Sequence, residues 1–260
     1  MLLHMCDSSR TETVVITTDG CDASQRARLS DMAERFQIAL SEEVPSDRAY
    51  LRLEHERLVL CDPTMTGASG VWIDLIDAMR KASRGGRKRD HPLVRAVGRT
   101  CKRVIDATAG LGGDTALLLG FGFDVLAIER VGALAAMLTD ALRRAEEHGE
   151  FDPPLRERLL IQHGDARNIL HSLQDTFDAV LIDPMFPPKR KSSALANKNI
   201  RIVRAIAGDD PDADELLNAA RSSGAQRVVV KRPPYAPPLA PNPSAEYKSK
   251  LVRYDVYVRA

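Results

Sequence analysis

Apolar positions change rhythm near residue 100. From Arg103 onward short apolar runs alternate with stretches of helical spacing, the runs at 103–107, 124–129, 159–164, 179–183 and 227–231 predicting strands. Helices are predicted near 114–119, 132–147, 166–173 and 211–222. Strand and helix in strict alternation predict an α/β fold, a doubly wound, Rossmann-like sheet over 103–260. The tail LVRYDVYVR (251–259) alternates without a following helix, which predicts an antiparallel strand closing the sheet's edge. Residues 1–82 predict a small α+β domain, with a β-branched strand at 13–18, a helix over 23–40 on Leu29, Met32, Ala33, Phe36 and Leu40, and short strands at 58–61 and 71–75. Between the two lies a basic linker or helix (83–102) containing SRGGRKRDHP.

Composition narrows the class. The four cysteines at 6, 21, 61 and 101 form no C-x-x-C pair, so neither zinc nor a disulfide framework is expected. The longest apolar stretches are far below the roughly 18 residues of a membrane span, and Met1-Leu2-Leu3-His4-Met5 lacks the shape of a secretion signal, so a cytoplasmic protein is expected. A net charge of +1 argues against a uniformly basic coat, but its distribution is uneven. Residues 1–62 hold twelve acids against seven Lys or Arg; residues 80–103 hold ten Lys or Arg against Asp90 alone; 189–204 holds six and no acid. One such run reads as a solvated face. Two, each beside a candidate site, point to a polyanionic partner.

The candidate chemistry begins at VIDATAGLGGD (104–114), a strand, a glycine turn and a helix start. A dinucleotide fingerprint ending at Gly113 would need glycine at 108, where Thr stands, and Asp106 at the strand end would face a pyrophosphate with like charge. An acid there suits a cationic ligand without phosphate. S-adenosylmethionine, with its ammonium and sulfonium groups, meets that requirement, with Gly110, Gly112, Gly113 and Asp114 forming the turn. The second strand ends at Glu129-Arg130, where a carboxylate can accept two ribose hydroxyls. The third leads to Asp165-Ala166, and Asp165 can accept from an adenine amino group. Singly, a G-x-G is a tight turn, Glu129-Arg130 a surface pair and Asp165 a helix cap; three acids at successive strand ends carry more weight.

The fourth strand delivers Asp183-Pro184-Met185-Phe186, one position from the D-P-P-F pattern of methyltransferases that act on exocyclic amines. The amine of a nucleobase is a poor nucleophile because its lone pair is delocalised into the ring. If the Asp183 carboxylate and the Pro184 carbonyl accept its hydrogens, the lone pair can be aimed at a methyl donor, with Phe186 stacked on the base. Lys189, Arg190 and Lys191 follow at once, suited to the phosphates of the same nucleic acid. A proline-rich stretch after the fifth strand supplies Tyr235 as a second stacking face and Lys231 and Arg232 for phosphate; Arg87 and Lys88 add to the basic surface.

These residues resemble the small-subunit ribosomal RNA guanine-N2 methyltransferases called RsmJ. The resemblance lies in Gly70-Val71-Trp72-Ile73-Asp74, DATAGLGGD (106–114), Glu129-Arg130, the segment from Leu181 to Leu195, and VVVKRPPYAPPLA (228–240). It covers roughly residues 70–260. It implies a class I S-adenosylmethionine-dependent enzyme acting on the N2 amine of a guanosine near the 3′ end of 16S ribosomal RNA, with the RNA or the small ribosomal subunit as partner. By motif, cofactor contacts would fall on Gly113-Asp114, Glu129-Arg130, Asp165-Ala166 and Asp183. The family often has Arg where Gly113 stands and a Ser pair in place of Asp165-Ala166, which leaves Asp183, Pro184 and Phe186 untouched. Three other readings stand beside it: an N6-adenine or N4-cytosine nucleic-acid methyltransferase, a Rossmann oxidoreductase, and a non-catalytic RNA-binding assembly factor.

Overall fold

A computed structural model describes residues 14–65, 70–84, 90–149, 154–173, 175–185, 198–208 and 210–259. Five strands in its C-terminal two-thirds run parallel: β5 (Arg103–Asp106), β6 (Asp124–Glu129), β7 (Leu159–His163), β8 (Ala179–Ile182) and β9 (Arg227–Arg232). The inner four, β5, β6, β8 and β9, read as near-continuous apolar runs because helices cover both faces, whereas β7 lies at the sheet edge with Leu160 exposed. Alternate residues face opposite layers. Val104, Leu181 and Val229 pack toward α4 (Gly113–Gly120) and α5 (Gly132–Glu147). Ile105, Val180, Val228 and Val230 pack toward α7 (Ala166–Ser172) and α9 (Ala213–Ser222).

The chain ends in β10 (Ala245–Lys248) and β11 (Arg253–Val258), giving the order β10-β11-β9-β8-β5-β6-β7. β11 is antiparallel to β9, as the alternating tail predicts. It does not close the sheet, however. That edge belongs to β10, whose sequence AEYK is too polar and half-exposed to announce a strand.

The N-terminal part builds a second sheet from β1 (Val14–Thr17), β2 (Ala39–Ser41), β3 (Ala49–Glu54) and β4 (Arg57–Cys61), in the order β2-β1-β3-β4. α1 (Ala23–Phe36) ends four residues before the helix predicted over 23–40: Gln37 turns left-handed at φ 55°, and Leu40 joins β2. The predicted strand at 71–75 is reduced to one bridge between Val71 and Leu60. Asp74 instead accepts the Asp77 N–H (2.9 Å) and starts α2 (Leu75–Arg84).

The two sheets share one apolar core, in which Leu29, Phe36, Leu51 and Leu60 join Leu118, Leu134 and Leu138. A buried carboxylate stitches them. Asp140 on α5 accepts from Arg28 of α1, from Arg143 (3.1 Å) and Arg144 (2.9 Å), and from the Leu58 N–H (3.0 Å). α3 (Pro92–Val97) and α6 (Leu155–Arg158) complete that layer, and α8 (Lys198–Ala207), unforeseen in a stretch read only as basic, buries Ile202, Val203 and Ile206. Among the described residues no helix is long and apolar enough to cross a membrane.

Candidate active site at the strand ends

The C-terminal ends of β5, β6, β7 and β8 open on one cavity of about 650 Å³, its mouth included. Its walls carry Thr108, Gly110, Glu129, Arg130, Asp165, Ala166, Arg167, Asp183, Met185, Asp210 and Asp212, over an apolar lining that includes Ile128, Leu134 and Leu216. A crevice at the strand ends, near the point where chain order reverses from β5 toward β8, is where such sheets bind ligands.

Glu129 is 6% exposed and its two oxygens accept the Gly110 and Val131 N–H groups, both at 2.7 Å. Burial pushes its carboxyl above the ordinary value against the pull of those two bonds. An ionised carboxylate has lone pairs to spare after two such bonds, so Glu129 retains acceptor capacity toward the cavity. Gly110 takes φ 54°, a backbone region that L side chains rarely adopt, which allows its N–H to reach Glu129.

Asp183 stands at the end of β8. Its N–H donates to Thr108 Oγ1 (2.7 Å), and its Oδ2 lies 2.9 Å from the Lys231 ammonium. The side chain is 37% exposed to the cavity, but the enclosing walls raise its pKa to about 6. Burial is the main cause, Lys231 opposes it, and the charges of Asp114 and Asp210 add to it. Pro184 is buried, and the next N–H, of Met185, donates to Asp210 Oδ2 (2.6 Å). Asp210 also pairs with Arg130, which reaches Asp212 at 3.2 Å. One acid thereby ties the turn after Asp183 to the arginine on the opposite wall.

Several expected contacts land elsewhere. Asp106, read as facing a cationic ligand, is 1% exposed and points into the protein, accepting from Thr115 Oγ1 (2.6 Å) and, more weakly, the Thr108 N–H (3.3 Å). Burial, and secondly the Asp114 charge, raises its pKa to about 7. Gly112, Gly113 and Asp114 are not on the cavity wall either. Gly112 packs inward at φ 73°, where a Cβ would come within 2.7 Å of Leu138 Cδ2. Asp165 lines the cavity, but it caps α7 through the Arg167 N–H (2.9 Å) and holds the Arg167 guanidinium, at 2.5 Å in its shortest contact. Burial pushes its carboxyl up; the Arg167 bonds overcome that and hold it below the usual range.

Lys231 and Arg232, both expected on phosphate, are adjacent in a strand and so face opposite ways. Lys231 turns to Asp114 (2.6 Å) and Asp183. Arg232 is 5% exposed and donates to the Pro237 carbonyl (2.6 and 3.0 Å), bracing the proline loop from within. Both cations are bonded to groups of the protein, Arg232 buried and Lys231 partly exposed. Tyr235 is 63% exposed. Phe186, Lys189, Arg190, Lys191, Arg87 and Lys88 lie outside the described residues.

The donor set decides what the cavity can hold. Glu129, Asp165, Asp183, Asp210 and Asp212 outnumber Arg130 and Arg167, both of which are already ion-paired within the wall. A pyrophosphate would meet net negative charge here, whereas a cationic ligand with an apolar ring system meets acids at one end and aliphatic side chains at the other. S-adenosylmethionine fits on both counts. Thr108, Asp210 and Asp212 are the site residues that the motifs do not include; the acidic run DDPDADE (209–215) is the one sequence signal that marks two of them.

Known proteins match the chain along most of its length. A family model described as "Putative SAM-dependent methyltransferase" matches residues 31–259. A Pectobacterium atrosepticum protein named "Ribosomal RNA small subunit methyltransferase J" is 38% identical over 251 residues, covering 94% of this chain and 98% of that one. An Aeromonas hydrophila protein of the same name is 42% identical over 216 residues, covering 80% and 84%. In three dimensions, a SAM-dependent methyltransferase from Neisseria gonorrhoeae aligns with a TM-score of 0.74 at 29% identity, covering 95% of this chain and 96% of that one.

Proposed function

Since the chain belongs to the ribosomal RNA small subunit methyltransferase J family, we propose that it methylates 16S ribosomal RNA, at the exocyclic N2 amine of one guanosine. The observation that carries the reading is Asp183, a carboxylate at the end of β8 with its backbone pinned by Thr108 and one side-chain oxygen pinned by Lys231, opening on an acid-walled cavity. S-adenosylmethionine, when bound, supplies an electrophilic methyl. Glu129 offers acceptors for its ribose hydroxyls, and Ile128, Leu134 and Leu216 offer an apolar surface for its adenine.

The remaining work falls to this chain's own groups. Asp183 and the Pro184 carbonyl accept the hydrogens of the amine and turn its lone pair out of the ring plane. The nitrogen gains a methyl and must release a proton, and Asp183, with a pKa raised to about 6, is suited to take it near neutral pH. Asp210 keeps the turn after Asp183 from drifting by holding the Met185 N–H.

The test is transfer of labelled methyl from S-adenosylmethionine to small ribosomal subunits that lack the modification, followed by digestion to nucleosides. N2-methylguanosine is expected. N6-methyladenosine or N4-methylcytosine would move the reaction to another amine, and cofactor binding without transfer to any nucleic acid would favour a binding role.

A further inference from the structure

Lys231 occupies a place that its neighbours define closely. It pairs in register with Tyr254 of β11, and its ammonium lies 2.6 Å from Asp114 Oδ2 and 2.9 Å from Asp183 Oδ2, with 22% of the side chain exposed. An ammonium has three hydrogens, and two are committed to carboxylates. Charged and titratable groups surround this cluster on every packed element. Asp114 comes from α4, Asp106 from β5, Tyr254 (2% exposed) from β11 and Asp210 from the segment before α9, and His91 at the start of α3 lies near Asp114.

Two carboxylates around one ammonium make an arrangement of net charge −1. Without the ammonium, Asp114 and Asp183 would face each other as two acids in a site sheltered from water, a situation that favours protonating one of them. A protonated Asp183 would be a poorer acceptor for an amine. It would also have no capacity to take the proton that methylation releases.

We propose that Lys231 is a positioning residue for methyl transfer: anchored by Asp114, it fixes Oδ2 of Asp183 and keeps that carboxylate ionised, leaving Oδ1 to accept from the substrate amine. The proposal rests on the reading of Asp183 given above and adds a residue and a division of labour to it. Lys231 acts through Asp183 and does not touch the RNA. The direction of the Lys231 shift agrees, since the charges of Asp183 and Asp114 outweigh its burial and hold it protonated.

The experiment compares the full-length wild type with Lys231→Met, Lys231→Arg and Asp114→Asn on unmodified small subunits, from about pH 5.5 to about 9, measuring kcat and the KM for subunits. Lys231→Met is expected to lower kcat at neutral pH by about tenfold and to move the acid limb of the kcat profile upward by about one pH unit or more, because an opposite charge at this distance has been removed. The KM for subunits stays near its wild-type value. Lys231→Arg keeps the charge and holds the acid limb in place; Asp114→Asn, which frees Lys231 from its anchor, lowers kcat less than Lys231→Met.

A raised KM, a weaker salt dependence of binding and an unmoved pH profile would overturn the proposal and return Lys231 to a phosphate. Thermal unfolding checks that each variant folds. Carbon-13 NMR of the Asp183 carboxyl reads the same shift without turnover: absence of wild-type methyl transfer would defeat the functional reading, whereas an Asp183 titration unchanged in Lys231→Met would defeat this one. If Lys231→Met does not fold, the Asp114→Asn and Lys231→Arg profiles decide, and an acid limb moved by the arginine variant as far as expected for charge removal would count against the proposal.

Discussion

Asp106 offers the most quantitative test of how the site is built. The carboxyl is 1% exposed, and in the folded chain it titrates at about 7 where an ordinary aspartate titrates at 3.8. The sign follows from linkage. Folding favours the protonated form, so the contribution of Asp106 to stability is fully present below about pH 3.8, falls as pH rises, and levels off once pH passes about 7. At ~1.4 kcal/mol for each factor of ten in proton affinity, the whole gap amounts to ~4 kcal/mol. Asp106→Asn removes that titration while keeping its bonds, because the amide oxygen can accept from the Thr108 N–H and the Thr115 hydroxyl can rotate to accept from the amide nitrogen.

The variant is therefore expected to match the wild type near pH 4 and to exceed it at alkaline pH, the difference widening by ~3 kcal/mol between about pH 5 and about pH 8. Urea unfolding followed by the fluorescence of Trp72, the single tryptophan, measures it at each pH. Taking the difference between variant and wild type cancels the other carboxyls that titrate in the same range. A difference that stays constant with pH, or a variant that loses more stability at about pH 8 than at about pH 5, would show that Asp106 does not take up a proton on folding in this range, and its assignment as a carboxyl protonated by burial would fail.

Three further outcomes are expected. Glu129→Ala strands the Gly110 and Val131 N–H groups and removes the acceptor for ribose, so S-adenosylmethionine affinity by calorimetry should fall at least ~10-fold, with ~2 kcal/mol or more of stability lost. Asp140→Ala leaves Arg28, Arg143 and Arg144 without their common acceptor between the two sheets and should cost ~3–5 kcal/mol in urea unfolding. Asp210→Ala releases the Met185 N–H, and kcat for methyl transfer should drop by about tenfold with a melting temperature close to that of the wild type, since a loosened turn misplaces Asp183 and Pro184.

The parts of the fold legible in the sequence are those buried on two sides. β5, β6, β8 and β9 are apolar because both faces meet helices, and their ends carry Asp106, Glu129 and Asp183, so strand positions and strand-end acids were readable together. β3 and β10 were not, since a half-exposed strand such as AEYK has no more apolar signal than a loop. The run VWIDLI (71–76) fits a strand or a helix start equally well at that length, and only the Asp74 cap separates them. Facing is the other limit. That Asp106 ends a strand was visible; that it turns inward to Thr115 depends on Thr115 lying in the first turn of α4. Likewise a Lys-Arg pair reads as two cations for phosphate, whereas the pleat of β9 sends one to Asp183 and the other beneath the proline loop.

The charge pattern of the molecule follows from the same division. The acids in and beside the cavity are paired locally, two to each cation: Asp210 and Asp212 with Arg130, Asp165 and Glu215 with Arg167, and Asp114 and Asp183 with Lys231. Cations spent on those pairs are not available to an RNA backbone, and the net-negative wall would repel it. A nucleobase can enter such a cavity only if its phosphates are held outside, by cations that the cavity does not consume. The two basic stretches at 80–103 and 189–204, nearly free of acids, are the part of the chain with that surplus. On this reasoning, neutralising them should reduce the salt dependence of RNA binding while leaving S-adenosylmethionine affinity unchanged, and neutralising Arg130 or Arg167 should do the reverse.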